Sequence, residues 1–64
     1  MKVYTNIKRF RIEKGMSQKD LAELTGYTDR SSIAKIEKGL VDLPLSKIEA
    51  IAGALGVTVF DLLQ

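Results

Sequence analysis

QKDLAELTGYTDRSSIAKIE, residues 18–37, is the stretch that decides the fold. Ser17 followed by Asp20 reads as an S-x-x-D cap opening a helix that carries Leu21, Ala22 and Leu24. Gly26 ends that helix. Thr28 or Asp29 caps the next, which carries Ile33 and Ile36 and closes at Gly39. One arrangement open to two helices this close in sequence crosses them steeply through a very short turn. The residue at the crossing must be small, and Ala22 stands there. The turn must accept a left-handed backbone, which Gly26 does at no steric cost. Ile33 and Ile36 then face the preceding helix. An ordinary helical hairpin can carry the same residues by chance, and spacing alone leaves both arrangements open.

Outward from this stretch, short helices continue in both directions. Toward the N-terminus, Ile7, Phe10 and Met16 give the apolar face of a helix expected from about Tyr4 and stopped at Gly15. Toward the C-terminus, Leu40 to Leu43 form a loop, and Pro44 lies near the first turn of a fourth helix, where its missing N–H costs little. Leu45, Ile48, Ile51, Ala52 and Leu55 follow at helical spacing. Asp42 fits the periodicity as the cap, while Ser46 with Glu49 has the capping-box spacing; both stay open. Gly56 ends this helix, and Thr58 with Asp61 opens a short fifth holding Val59, Phe60, Leu62 and Leu63. No strand alternation is visible. The expected class is all-α, a compact five-helix bundle in a single domain over residues 1–64.

Sixty-four residues bury about 60% of the surface that the unfolded chain exposes. A core of this size supplies roughly 3–5 kcal/mol. The chain has no cysteine and no histidine. That excludes a disulfide staple and a transition-metal site of the usual nitrogen or sulfur type, and leaves oligomerisation as outside help. The N-terminal residues have no apolar export segment and no stretch approaches a membrane span, so a cytoplasmic location is expected. The net charge is only +2, but it is lopsided: every lysine and arginine except Lys47 precedes residue 40. Where the charge sits, rather than its total, bears on a polyanionic partner.

From Asn6 to Leu63 the chain resembles the phage-repressor helix-turn-helix family (lambda-repressor-like, Cro/CI or XRE-type). The resemblance rests on Ile7 to Gln18 (IKRFRIEKGMSQ), Asp20 to Gly26 (DLAELTG), Ser32 to Gly39 (SIAKIEKG) and Ile51 to Leu63 (IAGALGVTVFDLL). Two departures stand out. The stretch from Gly26 to Ile33 is one residue longer than the commonest form, and the loop after Gly39, often basic in the family, is Leu40-Val41-Asp42.

The resemblance implies a repressor-type regulator that binds double-stranded DNA in a sequence-specific way, with its recognition helix, about residues 29–38, in the major groove. With Ile33 facing inward, Arg30, Ser31 and Lys35 face outward, with Ala34 beside them. These three are the expected base contacts, Arg30 through bidentate hydrogen bonds to guanine. Gln18, Ser32 and Lys38 are expected at phosphates, Gln18 because a helix N-terminus suits an anion. Lys8, Arg9 and Lys14 are read as mostly solvated. By the same resemblance Arg11 and Glu37 form a structural ion pair between the first helix and the end of the third. An antitoxin-like regulator, or a helix-turn-helix used for protein contacts, are the alternatives.

Without histidine or cysteine the commonest general base and the best nucleophile are missing, so no enzyme is expected. Asp20 and Glu23 share a helix with no sign of a pocket to raise either pKa. Gly53 and Gly56 lack the spacing and Lys-Ser/Thr of a phosphate loop. No cofactor, metal or small-molecule ligand is expected, and no membrane partner. The expected partners are a palindromic DNA operator and a second copy of the chain. In the fifth helix Val59, Leu62 and Leu63 share the face that seals onto the core, and Phe60 falls off it. Phe60, with the surplus Leu40 and Val41, is the expected dimer interface, in the C-terminal region that the family's dimers use. The competing arrangement folds Phe60 inward in place of Val59.

Overall fold

Val3, Ile7 and Arg11 recur at four-residue intervals, and this spacing carries the first helix, α1 (Lys2–Glu13), two residues beyond the start expected at Tyr4. Val3 lies one turn before Ile7 and is buried. The computed structural model describes residues 2–64. After α1 come α2 (Gln18–Leu24), α3 (Arg30–Glu37), α4 (Leu45–Leu55) and α5 (Val59–Leu63). No strand occurs among the described residues.

The caps explain where most of these helices begin. Ser17 and Asp20 form a complete capping box: Ser17 Oγ accepts from the Asp20 N–H at 2.9 Å, and Asp20 Oδ2 accepts from the Ser17 N–H at 3.0 Å. Thr58 and Asp61 repeat it at α5. Of the two candidates for α3, Asp29 is the cap, its Oδ1 accepting from the Ser31 N–H at 3.1 Å. At α4 neither Asp42 nor Ser46 serves. Pro44 is the cap residue, with no side-chain bond, and its carbonyl accepts from the Lys47 and Ile48 N–H groups. Ser46 lies inside the helix.

One core unites the five helices. Val3 and Ile7, Leu21 and Ala22, Ile33 and Ile36, the α4 face of Ile48, Ile51, Ala52 and Leu55, and Leu62 of α5 all contribute to it. α2 packs most extensively on α3, and α1 on α5. Three leucines expected on apolar faces lie in solvent instead: Leu24 (61% exposed), Leu45 (62%) and Leu63 (53%). Thr25 takes the buried position that Leu24 was expected to hold, and its hydroxyl donates to the Leu21 carbonyl at 2.7 Å, so its polar atom is satisfied. In α5 the inward places go to Leu62 and the half-buried Val59, while Phe60 stays 68% exposed. The arrangement with Phe60 folded inward is therefore not adopted.

Two side chains of α1 tie it to the loop after α3 and to α5. The Tyr4 hydroxyl donates to the Val41 carbonyl at 3.1 Å, and Asn6 Nδ2 donates to the Leu62 carbonyl at 2.8 Å. Gly39 lies against the Tyr4 ring, and its φ of 71°, which L side chains rarely adopt, is what favours glycine there.

Candidate nucleic-acid interface

Leu21 and Ala22 anchor α2, and Ile33 and Ile36 anchor α3. Gly26, at a φ of 81°, turns the chain between them, and the Tyr27 N–H returns to the Ala22 carbonyl at 2.9 Å. With about 100° of rotation per residue, inward Ile33 and Ile36 put Ser31, Lys35 and Lys38 on the opposite, outward face of α3. All three are exposed, and Ala34 beside them is half-buried. Arg30 and Ser32 fall on opposite flanks of the helix. Arg30 is exposed, on the flank shared with Glu37; Ser32 is half-buried.

On the Arg30 flank lies an open depression of about 470 Å³ lined by Arg11, Ser17, Gln18, Lys19 and Arg30. It joins the N-terminus of α2 to that of α3. The N–H groups of Gln18 and Lys19 head α2 with no carbonyl a turn earlier to receive them, and the helix dipole favours an anion there. Among the described residues, neither Lys19 nor Arg30 is in an ion pair. Spacing did not single out Lys19 as a contact, although it neighbours Gln18. The structure places it in the depression while Ser32 lies on the far flank, away from Gln18.

Beneath the depression sits a buried polar network. Arg11 Nε donates to Glu37 Oε2 at 2.6 Å and Nη2 donates to Glu37 Oε1 at 3.2 Å, a two-point contact between α1 and the end of α3. The two side chains are 10% and 4% exposed. Arg11 Nη1 donates to the Met16 carbonyl at 2.9 Å, and Gln18 Nε2 donates to Glu37 Oε1 at 3.2 Å. The link between Gln18 and Glu37 was not foreseen from sequence. It fixes the Gln18 side chain to the end of α3 and uses one of its two amide hydrogens.

Carboxylates shape the same surface. The Ser17 backbone N–H holds the Asp20 carboxyl below its ordinary pKa of 3.8, and the Ser31 backbone N–H does the same to Asp29. Each is engaged with its own helix start. Lys8, Arg9 and Lys14 are exposed, and Arg9 is occupied by Glu13 at 3.0 Å and by the ring of Phe10. Leu40 is 67% exposed and Val41 37%. No group of acidic residues suited to a metal occurs among the described residues, and no helix there is long and apolar enough to cross a membrane.

Known proteins share this arrangement. A "Hypothetical transcription factor" from Neisseria meningitidis serogroup B is 41% identical over 58 residues, covering 91% of this chain and 54% of that protein. An immunity repressor protein of Bacillus phage phi105 is 42% identical over 59 residues, covering 92% of this chain and 40% of the repressor. The chain thus spans about half the length of these two relatives. The solved structure of SinR, described as a master regulator for biofilm formation in complex with DNA, superposes with a TM-score of 0.84 at 35% identity, covering 97% of this chain and 98% of that one. A helix-turn-helix family profile matches residues 7–62, which include the Ala22–Gly26 turn, the paired Arg11 and Glu37, and all of α3. This chain belongs to that helix-turn-helix family.

Proposed function

We propose that the chain is a repressor-type transcriptional regulator that binds double-stranded DNA in a sequence-specific way. The observation that carries this reading is the pairing of two surfaces on one rigid frame. The depression at the α2 N-terminus, with Gln18 and Lys19, suits a phosphate. Beside it, the outward face of α3 offers Ser31 and Lys35 to base edges, and Arg30 reaches the groove from the flank. Lys38, at the end of α3, takes a second phosphate. Ser32 is the weakest of the expected contacts, because it is half-buried on the other flank. Such a regulator acts on DNA in the cytoplasm and has no catalytic step.

One domain offers few phosphate contacts, so specific affinity calls for two copies on a palindromic site. Phe60, Leu40 and Val41 are the proposed contact between copies, and Leu63 joins them, being exposed beside Phe60 on α5. Two-fold symmetry would set the recognition helices about 34–36 Å apart, one turn of DNA.

Electrophoretic titration against a random duplex at two salt concentrations tests the reading, followed by selection of bound sequences from a random pool. Binding that weakens steeply with salt, together with enrichment of one palindromic sequence, is the expected outcome. Absence of binding at low salt would move the helix-turn-helix to protein contacts.

A further inference from the structure

Lys47 is the sole cation beyond residue 40, and the proposed DNA contacts leave it without a task. It stands half-buried in the first turn of α4. Its Nζ lies 4.6 Å from the centroid of the Tyr27 ring and donates to the Thr25 carbonyl at 3.5 Å. Thr25 closes α2, and a carbonyl at a helix C-terminus carries partial negative charge, as does the face of an aromatic ring. A half-buried ammonium between the two satisfies both.

Other bonds meet at the same place. The Thr25 hydroxyl donates to the Leu21 carbonyl and the Tyr27 N–H to the Ala22 carbonyl. Those bonds stay within α2 and its turn. Lys47 reaches the turn from α4, outside the helix-turn-helix. The segment it holds leads directly into Thr28, the Asp29 cap and the first residue of α3, Arg30. Residues 25–29 carry no helix between α2 and α3, and a non-helical connection has freedom to lose when it is held in one place.

We propose that Lys47 is a positioning residue for DNA recognition. Held between the Tyr27 ring and the Thr25 carbonyl, it fixes the turn from which α3 starts, and so fixes where Arg30 and Ser31 meet the bases. This rests on the DNA-binding reading above. Phosphate contacts at Gln18 and Lys19 do not depend on the first turn of α3, whereas base contacts do. A loosened turn therefore adds an ordering cost to the specific complex alone.

The test compares the duplex that the wild-type protein selects from a random pool with a shuffled duplex of the same composition. Lys47→Met removes the charge and keeps an unbranched apolar chain; Tyr27→Leu removes the ring. Each is expected to cut the preference for the selected duplex roughly two- to fivefold. Affinity for the shuffled duplex and its salt dependence stay unchanged, the double variant is no worse than either single one, and Lys47→Arg retains the preference. In the free protein, amide exchange at Ser31 and Ser32 speeds up in Lys47→Met while the α5 amides do not change.

Equal loss on both duplexes with a shallower salt dependence would make Lys47 a phosphate contact and overturn the proposal. A lower melting temperature with unchanged preference and exchange would make it a mere brace, and would overturn it too. If the wild-type protein prefers no duplex, the DNA reading falls. The exchange measurement then decides by itself whether Lys47 orders the turn.

Discussion

Three N–H donors converge on the carboxylate of Glu37, two from Arg11 and one from Gln18, in a place that water scarcely reaches. Removing one partner of a buried pair strands the other charge, at a cost of roughly 3–5 kcal/mol. That matches the roughly 3–5 kcal/mol a core this small supplies. Arg11→Met is therefore expected to leave on the order of half of the protein unfolded at room temperature, and Arg11→Met with Glu37→Leu to regain most of the loss, as followed by circular dichroism melts. A double variant no better than the single one would mean that packing, not the stranded charge, sets the cost. On DNA, Arg30→Ala and Lys35→Ala should each weaken the selected duplex by about 1–3 kcal/mol and leave a shuffled duplex nearly untouched. Lys38→Ala should weaken both alike and lower the salt slope by about one. Uniform loss for Arg30 or Lys35 would turn that residue into a phosphate contact. The Arg11–Glu37 link could be expected by resemblance because its partners sit at fixed motif positions. The Gln18 bond to Glu37 could not, since a glutamine heading a helix gives no sign of which way its amide turns.

At the scale of the helices, boundaries were legible wherever a side chain closes its own backbone. The Ser17–Asp20 and Thr58–Asp61 boxes are local, so spacing suffices to find them. Pro44 escaped because a proline cap makes no side-chain bond. Leu24, Leu45 and Leu63 were misplaced for a different reason. A helix of one to three turns fits more than one apolar stripe, and the neighbour that packs against it chooses between them. The caps also carry a pH dependence. Backbone N–H groups hold Asp20, Asp29 and Asp61 below the ordinary 3.8, so each is harder to protonate in the folded chain than in the unfolded one. Their stabilisation is full above the unfolded value and drains away as pH falls through the lower folded values. Melting temperature is accordingly expected to drop from about pH 4 downward, and the drop should be shallower in a variant combining Asp20→Asn and Asp61→Asn. An identical acid profile for that variant would show that the caps contribute nothing to it.

For the whole molecule, the all-helical bundle followed from sequence because apolar periodicity, caps and glycines agreed along its length. Its assembly is harder to read, since exposed apolar residues mark a contact without naming the occupant. Phe60 and Leu63 project from α5 and Leu40 from the loop after α3. Sedimentation with and without a palindromic duplex is expected to show a two-to-one complex that Phe60→Ala weakens. An unaffected complex would place the interface elsewhere. The claim that α3 enters the major groove has a direct test, because the chain has no cysteine and a single one can be labelled cleanly. Ser31→Cys on α3 and Ser46→Cys on the exposed side of α4 each carry a photoactivatable crosslinker, and each is bound to the selected duplex. The account predicts strong crosslinks from Ser31→Cys at the same position in both half-sites, blocked by groups that fill the major groove, and few from Ser46→Cys. Equal yields from the two positions, or crosslinks from Ser46→Cys alone, would contradict it.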